Sequence, residues 1–161
     1  MIGNLRLVSD ADIARLLDRP EEITRFLYGS DAANRGDSVA LNKAWHAIHF
    51  VLNGSRLGGT EPLNFLVDEG TPVGQVDVGY GPARVLTGLQ VRKLAEALRG
   101  IKPDEVAARV DLKRFDDEVI YPGNWQRNGY DADYVVSHYR DMRALIVRGA
   151  EQGQGLILYI N

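Results

Sequence analysis

The sequence predicts an α+β fold: several helices packed on a small mixed β-sheet, in a single domain over residues 1–161. Three observations point there. Apolar residues recur at spacings of three and four in several separate segments, the mark of helices with one buried face. Between Val73 and Leu86 that spacing gives way to Val-rich, partly alternating stretches bounded by Gly and Pro, which read as short strands. Finally, LILYI at 156–160 is short and wholly apolar, as suits an interior strand, because an exposed edge of that composition aggregates.

Taken in order, Met1 to Val8 forms a short strand. Ser9 then caps a helix, with Asp12 in the capping-box position and Ile13, Leu16 and Leu17 as its buried stripe. Pro20 suits the first position of a second helix running to Tyr28, with Glu21 and Glu22 favourable at its positive end and Gly29 as its stop. Ser30 to Asp37 is a polar loop. A central helix covers Leu41 to Gly54, and a Gly-rich turn, SRLGGTEP, leads to a short helix in PLNFLVDEG closed by Gly70. VGQVDVGYG and ARVL follow as two strands, or as a strand and a connecting turn, with Tyr80, Gly81 and Pro82 at the turn. Thr87 caps the next helix, Gln90 completes its capping box, Val91, Leu94, Ala95 and Leu98 form its stripe, and Gly100 ends it. A helix opening at Pro103 continues or breaks near Asp111. LKRFDDE has helical propensity, whereas Pro122 and Gly123 make VIYPGNW strand or loop. Asp131 or Asp133 opens a last long helix, with Val135, Tyr139, Met142 and Ile146 on one face. Gly153 and Gly155 turn it into the final strand.

The central helix carries two of the three histidines. At about 100° per residue, Leu41, Ala44, Trp45, Ile48 and Leu52 fall in one sector, with Val51 at its edge. Asn42, His46, His49 and Asn53 make a polar stripe beside it, and Lys43 and Phe50 lie opposite. Asp37 or Ser38 supplies the cap, and Gly54 suits a left-handed stop. His46 and His49, three apart, share a side of the helix. They serve a proton-transfer pair or two metal ligands, or else His49 bonds a neighbouring loop while His46 is solvated. The spacing lacks the Glu and the i, i+4 arrangement of a zinc-protease helix, so the expectation is no metal and no cofactor.

Composition excludes much. Hydrophobic residues make up 45% and charged residues 25%, as in a globular protein. A net charge of −3 with scattered Lys and Arg offers no nucleic-acid surface. There is no cysteine, so disulfides, thiolate metal sites and thiol nucleophiles are ruled out. Neither a signal-peptide pattern nor a membrane-length apolar run is visible, so a cytoplasmic protein is expected.

Motif chemistry is sparse. GYGPARVLT approaches a phosphate loop without a G-x-G-x-x-G or G-K-[ST], leaving Arg84 as a bidentate anion donor or a structural residue. No G-x-S-x-G is present, and Ser38, Ser55 and Ser137 have unremarkable contexts. His138 with Asp141 reads as a surface pair, and Asp116, Asp117 and Glu118 as a solvated face. Tyr80, Tyr121, Trp125, Tyr130 and Tyr134 all fall in or beside loops, where amphipathic aromatics form recognition surfaces or close a core.

K-x-W-x-x-I-H-x-x-L-N-G at Lys43 to Gly54, Y-G-P-A-R at Tyr80 to Arg84, Y-P at Tyr121 and Pro122, and the closing helix, Gly-rich turn and apolar strand resemble the YfbM-like family of bacterial domains of unknown function. The resemblance runs over essentially the whole length. It implies a compact α+β domain in which the second histidine position, here His49, is the regular one. It brings no activity or cofactor. Function is therefore expected to be protein binding without catalysis, of which neutralising a toxin is one form. The alternative is an enzyme or binder of a small polar or anionic ligand in a cleft centred on His49. The catalytic candidates are His49, His46, Tyr80 and Tyr121, and the expected ligand-binding set is Trp45, His49, Tyr80, Arg84, Tyr121 and Trp125.

Overall fold

A computed structural model of the chain describes residues 1–30 and 37–161. Its strands are β1 (Gly3–Val8), β2 (Ser38–Asn42), β3 (Thr71–Asp77), β4 (Pro82–Leu86) and β5 (Gly155–Ile160). Its helices are α1 (Asp10–Asp18), α2 (Ile23–Tyr28), α3 (Trp45–Asn53), α4 (Gly88–Arg99), α5 (Pro103–Arg109), α6 (Leu112–Asp117) and α7 (Ala132–Glu151), with a 3₁₀ turn at Pro20–Glu22 leading into α2. The fold is α+β.

The strands form one open sheet in the order β2-β1-β5-β4-β3. Every pairing among them is antiparallel, so the sheet is not mixed. β3 and β4 form a hairpin, and β5 returns antiparallel to both β1 and β4, leaving no parallel crossover to build. β5 lies at the centre, and alternation along it explains its composition. Leu156 and Leu158 face one apolar cluster and Ile157 and Tyr159 the other. A strand covered on both faces has no polar side to display.

The two faces are covered unequally. α1 and α2 close one with Ile13, Leu16, Ile23, Phe26 and Leu27. The larger core on the other face is built by α3, α4 and α7, with Val106 of α5 and Phe115 of α6. The caps at Ser9 and at Thr87 with Gln90 form as their spacing predicts, and of the two candidates for the last helix Asp131 is the cap; each side chain accepts a hydrogen bond from the backbone N–H three residues on.

Five local expectations are corrected. Leu41 and Asn42 belong to β2, so α3 begins only at Trp45, with Ala44 as an N-cap lacking a side-chain bond. Neither Asp37 nor Ser38 caps it: Ser38 starts a strand that pairs with β1. Residues 61–68 make successive turns rather than a helix. Leu17 stays 40% exposed, and Phe50, placed opposite the core on the helical wheel, is buried. Phe50 meets Phe115 edge-on at 5.8 Å and carries the Arg114 guanidinium over its ring at 4.9 Å. A helix covered on every side has no solvent face, which a wheel cannot foresee. The loop expected at 30–37 lies largely outside the described residues.

Gly3 shows how closely β1 meets α3. A Cβ on this residue would stand 2.6 Å from Trp45 Cβ, an atom fixed to the helix backbone. Gly3→Ala is therefore expected to lower stability by about 1–3 kcal/mol through overpacking, read from the urea midpoint. Gly100→Ala, in a right-handed helical conformation with 3.4 Å of clearance, is the neutral control.

Candidate functional site

A cleft of about 370 Å³ opens between the start of α3 and the β4–β5 end of the sheet. Trp45 and His46 enter it from α3, Tyr80 from the β3–β4 turn, and Arg84 from β4. Most of its remaining wall is apolar, including Leu57, Leu66, Leu158 and Ile160.

Local sequence explains how these groups arrive. Gly54 adopts φ 69°, which glycine takes without Cβ strain, and ends α3. The chain doubles back so that the Arg56 carbonyl meets His46 Nε2 at 2.9 Å. On its other side the Tyr121 N–H donates to His46 Nδ1 at 2.9 Å. An amide N–H only donates and a carbonyl only accepts. His46 is thereby held as the neutral tautomer with its proton on Nε2. Burial pushes its pKa down, opposed by the bond to the Arg56 carbonyl. His46 is a buried cross-brace between the 55–59 loop and the 120–124 loop, not a solvated group.

His49 lies one turn deeper and is fully buried. Its ring is 6.5 Å from that of His46. Burial pushes its pKa down to about 4, the neighbouring His46 and Arg84 act in the same sense, and Asp68 and the Gly58 backbone oppose them. No hydrogen bond of good geometry reaches Nε2, and Nδ1 has only a long 3.4 Å approach from Asn53 Nδ2. The Asn53 amide instead donates to the His49 and Leu63 carbonyls, at 3.0 and 2.9 Å, fastening α3 to the turns that follow.

The Trp45 ring stacks with His46, at 4.9 Å and 14°, and with Tyr121, at 6.0 Å and 28°. Its Nε1 is buried without a partner. Arg84 donates to the Glu69 carbonyl at 2.6 Å and the Leu66 carbonyl at 2.9 Å, shaping the cleft wall. Tyr80 is anchored by its backbone, whose N–H bonds the Ile160 carbonyl at 3.0 Å, while its side chain stays exposed. Asp77 holds that turn by accepting from the N–H groups of Gly79 and Gly81.

The expected site residues thus separate. Trp45, His46, Tyr80 and Arg84 line one cleft, Tyr121 backs Trp45, and His49 lies sealed beneath. Trp125 is elsewhere. It is fully buried, donates to the Ile120 carbonyl at 2.9 Å, and packs with Phe115, Tyr130 and Tyr134. Among the other candidates, His138 bonds the Tyr134 carbonyl and Asn42, tying α7 to β2 rather than pairing with Asp141. Asp116 is not merely solvated, because it accepts from the Trp125 and Gln126 N–H groups. Leu57 and Leu66 line the cleft beyond the expected set. A lone leucine among polar and glycine residues in SRLGGTEP is the signal that singles out Leu57. No helix among the described residues is long and apolar enough to cross a membrane.

The two histidines set a pH dependence with a definite sign. Their ordinary pKa is 6.5, and both are lower in the folded chain. Between that value and about 4 the unfolded chain takes up protons that native His49 refuses, so their contribution to stability falls as pH drops through this window. Above it both histidines are neutral in both states and add no slope. Urea midpoints measured from pH 7 to pH 4 are expected to decline, and His49→Gln to flatten the decline. An unchanged slope in that variant would contradict the assignment.

Comparison with known proteins gives the chain its relatives. No curated protein matches it. The crystal structure of YfbM from Escherichia coli, a protein of unknown function, superposes with a TM-score of 0.71 over 98% of both chains at 22% sequence identity, a likeness of fold. A family model described as a domain of unknown function, DUF1877, matches residues 1–159. The chain therefore belongs to the DUF1877 family, whose function is unknown.

Proposed function

We propose that the chain is a non-catalytic interaction domain that binds a partner protein through the cleft between α3 and the β4–β5 end of the sheet. One observation carries this reading. Leu57 and Tyr80, 60% and 62% exposed, are two of the most exposed large apolar side chains among the described residues, and both border the same mainly apolar cleft. Exposed apolar groups at the mouth of a concavity are what a protein contact desolvates, with aromatics the common anchors.

Proton-transfer chemistry finds little support in the same geometry. His46 has both ring nitrogens committed to backbone groups. His49 is buried from solvent and holds its neutral form down to about pH 4. A general base needs hydrogen-bond reach to its substrate and a pKa near the working pH, and neither histidine combines these.

The test uses Leu57→Asp and Tyr80→Ala, both at exposed positions, where substitution shifts stability by roughly 0.5 kcal/mol or less. Wild-type protein immobilised as bait is expected to retain a defined partner that both variants lose, with melting temperatures unchanged. A partner retained equally by wild type and both variants would place the interface elsewhere and overturn the assignment to this cleft.

A further inference from the structure

The lining of the cleft contains one full charge, that of Arg84. A guanidinium has five N–H donors, and Arg84 gives two of them to the Glu69 and Leu66 carbonyls. No carboxylate of the described residues stands within ion-pair distance, 4.0 Å, of it. Asp68 and Glu69 act on it only from farther away. It is partly buried and set against apolar walls, an environment in which a charge without a close counter-ion is unfavourable. The arrangement is complementary to an anion attached to an apolar group.

We propose that the cleft captures the C-terminal end of a partner polypeptide: the terminal carboxylate meets the spare N–H donors of Arg84, and an apolar last side chain fills the space beside Trp45, Leu66 and Leu158. This rests on the interaction reading above and narrows it to one kind of segment. At a chain end the carboxylate and the side chain sit on the same carbon, which matches one cation placed against an apolar wall. An internal Asp or Glu separates its charge from the next apolar side chain and needs room for the chain to leave in both directions. The volume, about 370 Å³, is near the lower end of the range for pockets that enclose a ligand, roughly 300–1,000 Å³. It suits a chain end better than a folded element. Tyr80 and Leu57 at the mouth would then cover the preceding residues.

The experiment measures fluorescence anisotropy with two sets of labelled synthetic heptapeptides, identical except that one ends in a free carboxylate and the other in an amide, with apolar residues at the last two positions. Free-acid peptides are expected to bind, and amidation to weaken binding by about tenfold or more, the loss of a charge-assisted pair. Arg84→Gln should reduce binding similarly. Because that change also removes two bonds to the 66–69 backbone, Tyr80→Ala serves as a second variant, with an expected loss of about tenfold at unchanged stability. Equal binding of acid and amide would overturn carboxylate capture while leaving the interaction reading intact. Octanoate or phenylacetate displacing the peptides at equal affinity would overturn the polypeptide end in favour of a free small acid. Failure of both sets to bind at about 1 mM, the limit of weak recognition, would overturn the proposal outright.

Discussion

The backbone ladder that places β5 between β1 and β4 carries the rest of the molecule. It pairs Gly3 through Val8 with Ile160 through Gly155, and Arg84 through Leu86 with Leu158 through Leu156. Every helix packed on the sheet covers a face that exists only once this non-local pairing is made. The ladder also fixes register. A slip of one residue would exchange the two faces of β5, sending Leu156 and Leu158 to the α1–α2 side and Ile157 and Tyr159 to the other. With unequal apolar clusters on the two sides, such a slip leaves both mispacked.

The cleft follows from the same constraint. The start of β4 and the end of β5 lie beside the start of α3, and the chain segments around them are fastened by polar groups rather than by regular structure. His46 links two loops, Asn53 holds α3 to the turns after it, and Arg84 holds the carbonyls of residues 66 and 69. A buried polar group is tolerable only when its hydrogen bonds are met inside the protein, so each of these side chains specifies one arrangement of its loop. Polar residues that resemble catalytic groups in the sequence are, in His46 and Asn53, fasteners of the walls. Arg84 likewise holds the wall with two donors, and it also lines the cleft.

Trp125 and Tyr80 illustrate how far a linear reading of aromatics reaches. Both sit in loops rich in turn residues. Trp125 closes the core at the α6–α7 connection, its indole N–H satisfied by the Ile120 carbonyl, whereas Tyr80 is carried on a hairpin turn with its ring in solvent. The difference lies in what packs on them, which sequence neighbours do not reveal.

The sequence by itself determined the class of the fold, the helix caps at Ser9 and Thr87, the left-handed stop at Gly54 and the interior position of the last strand. These depend on periodicity, on side chains bonding backbone three residues away, and on the cost of exposing an apolar edge, all of which are local. Only the tertiary structure decided that Leu41 and Asn42 extend a strand, that α3 is buried on every side, that His46 is held as one tautomer, and that Trp45, Tyr80 and Arg84 border one cleft without Trp125. Those outcomes depend on partners far away in the chain: β1 for Leu41, the Tyr121 amide for His46, the turns at 66–69 for Arg84. Their physical reason is long-range burial and hydrogen-bond satisfaction, which no window of neighbouring residues contains.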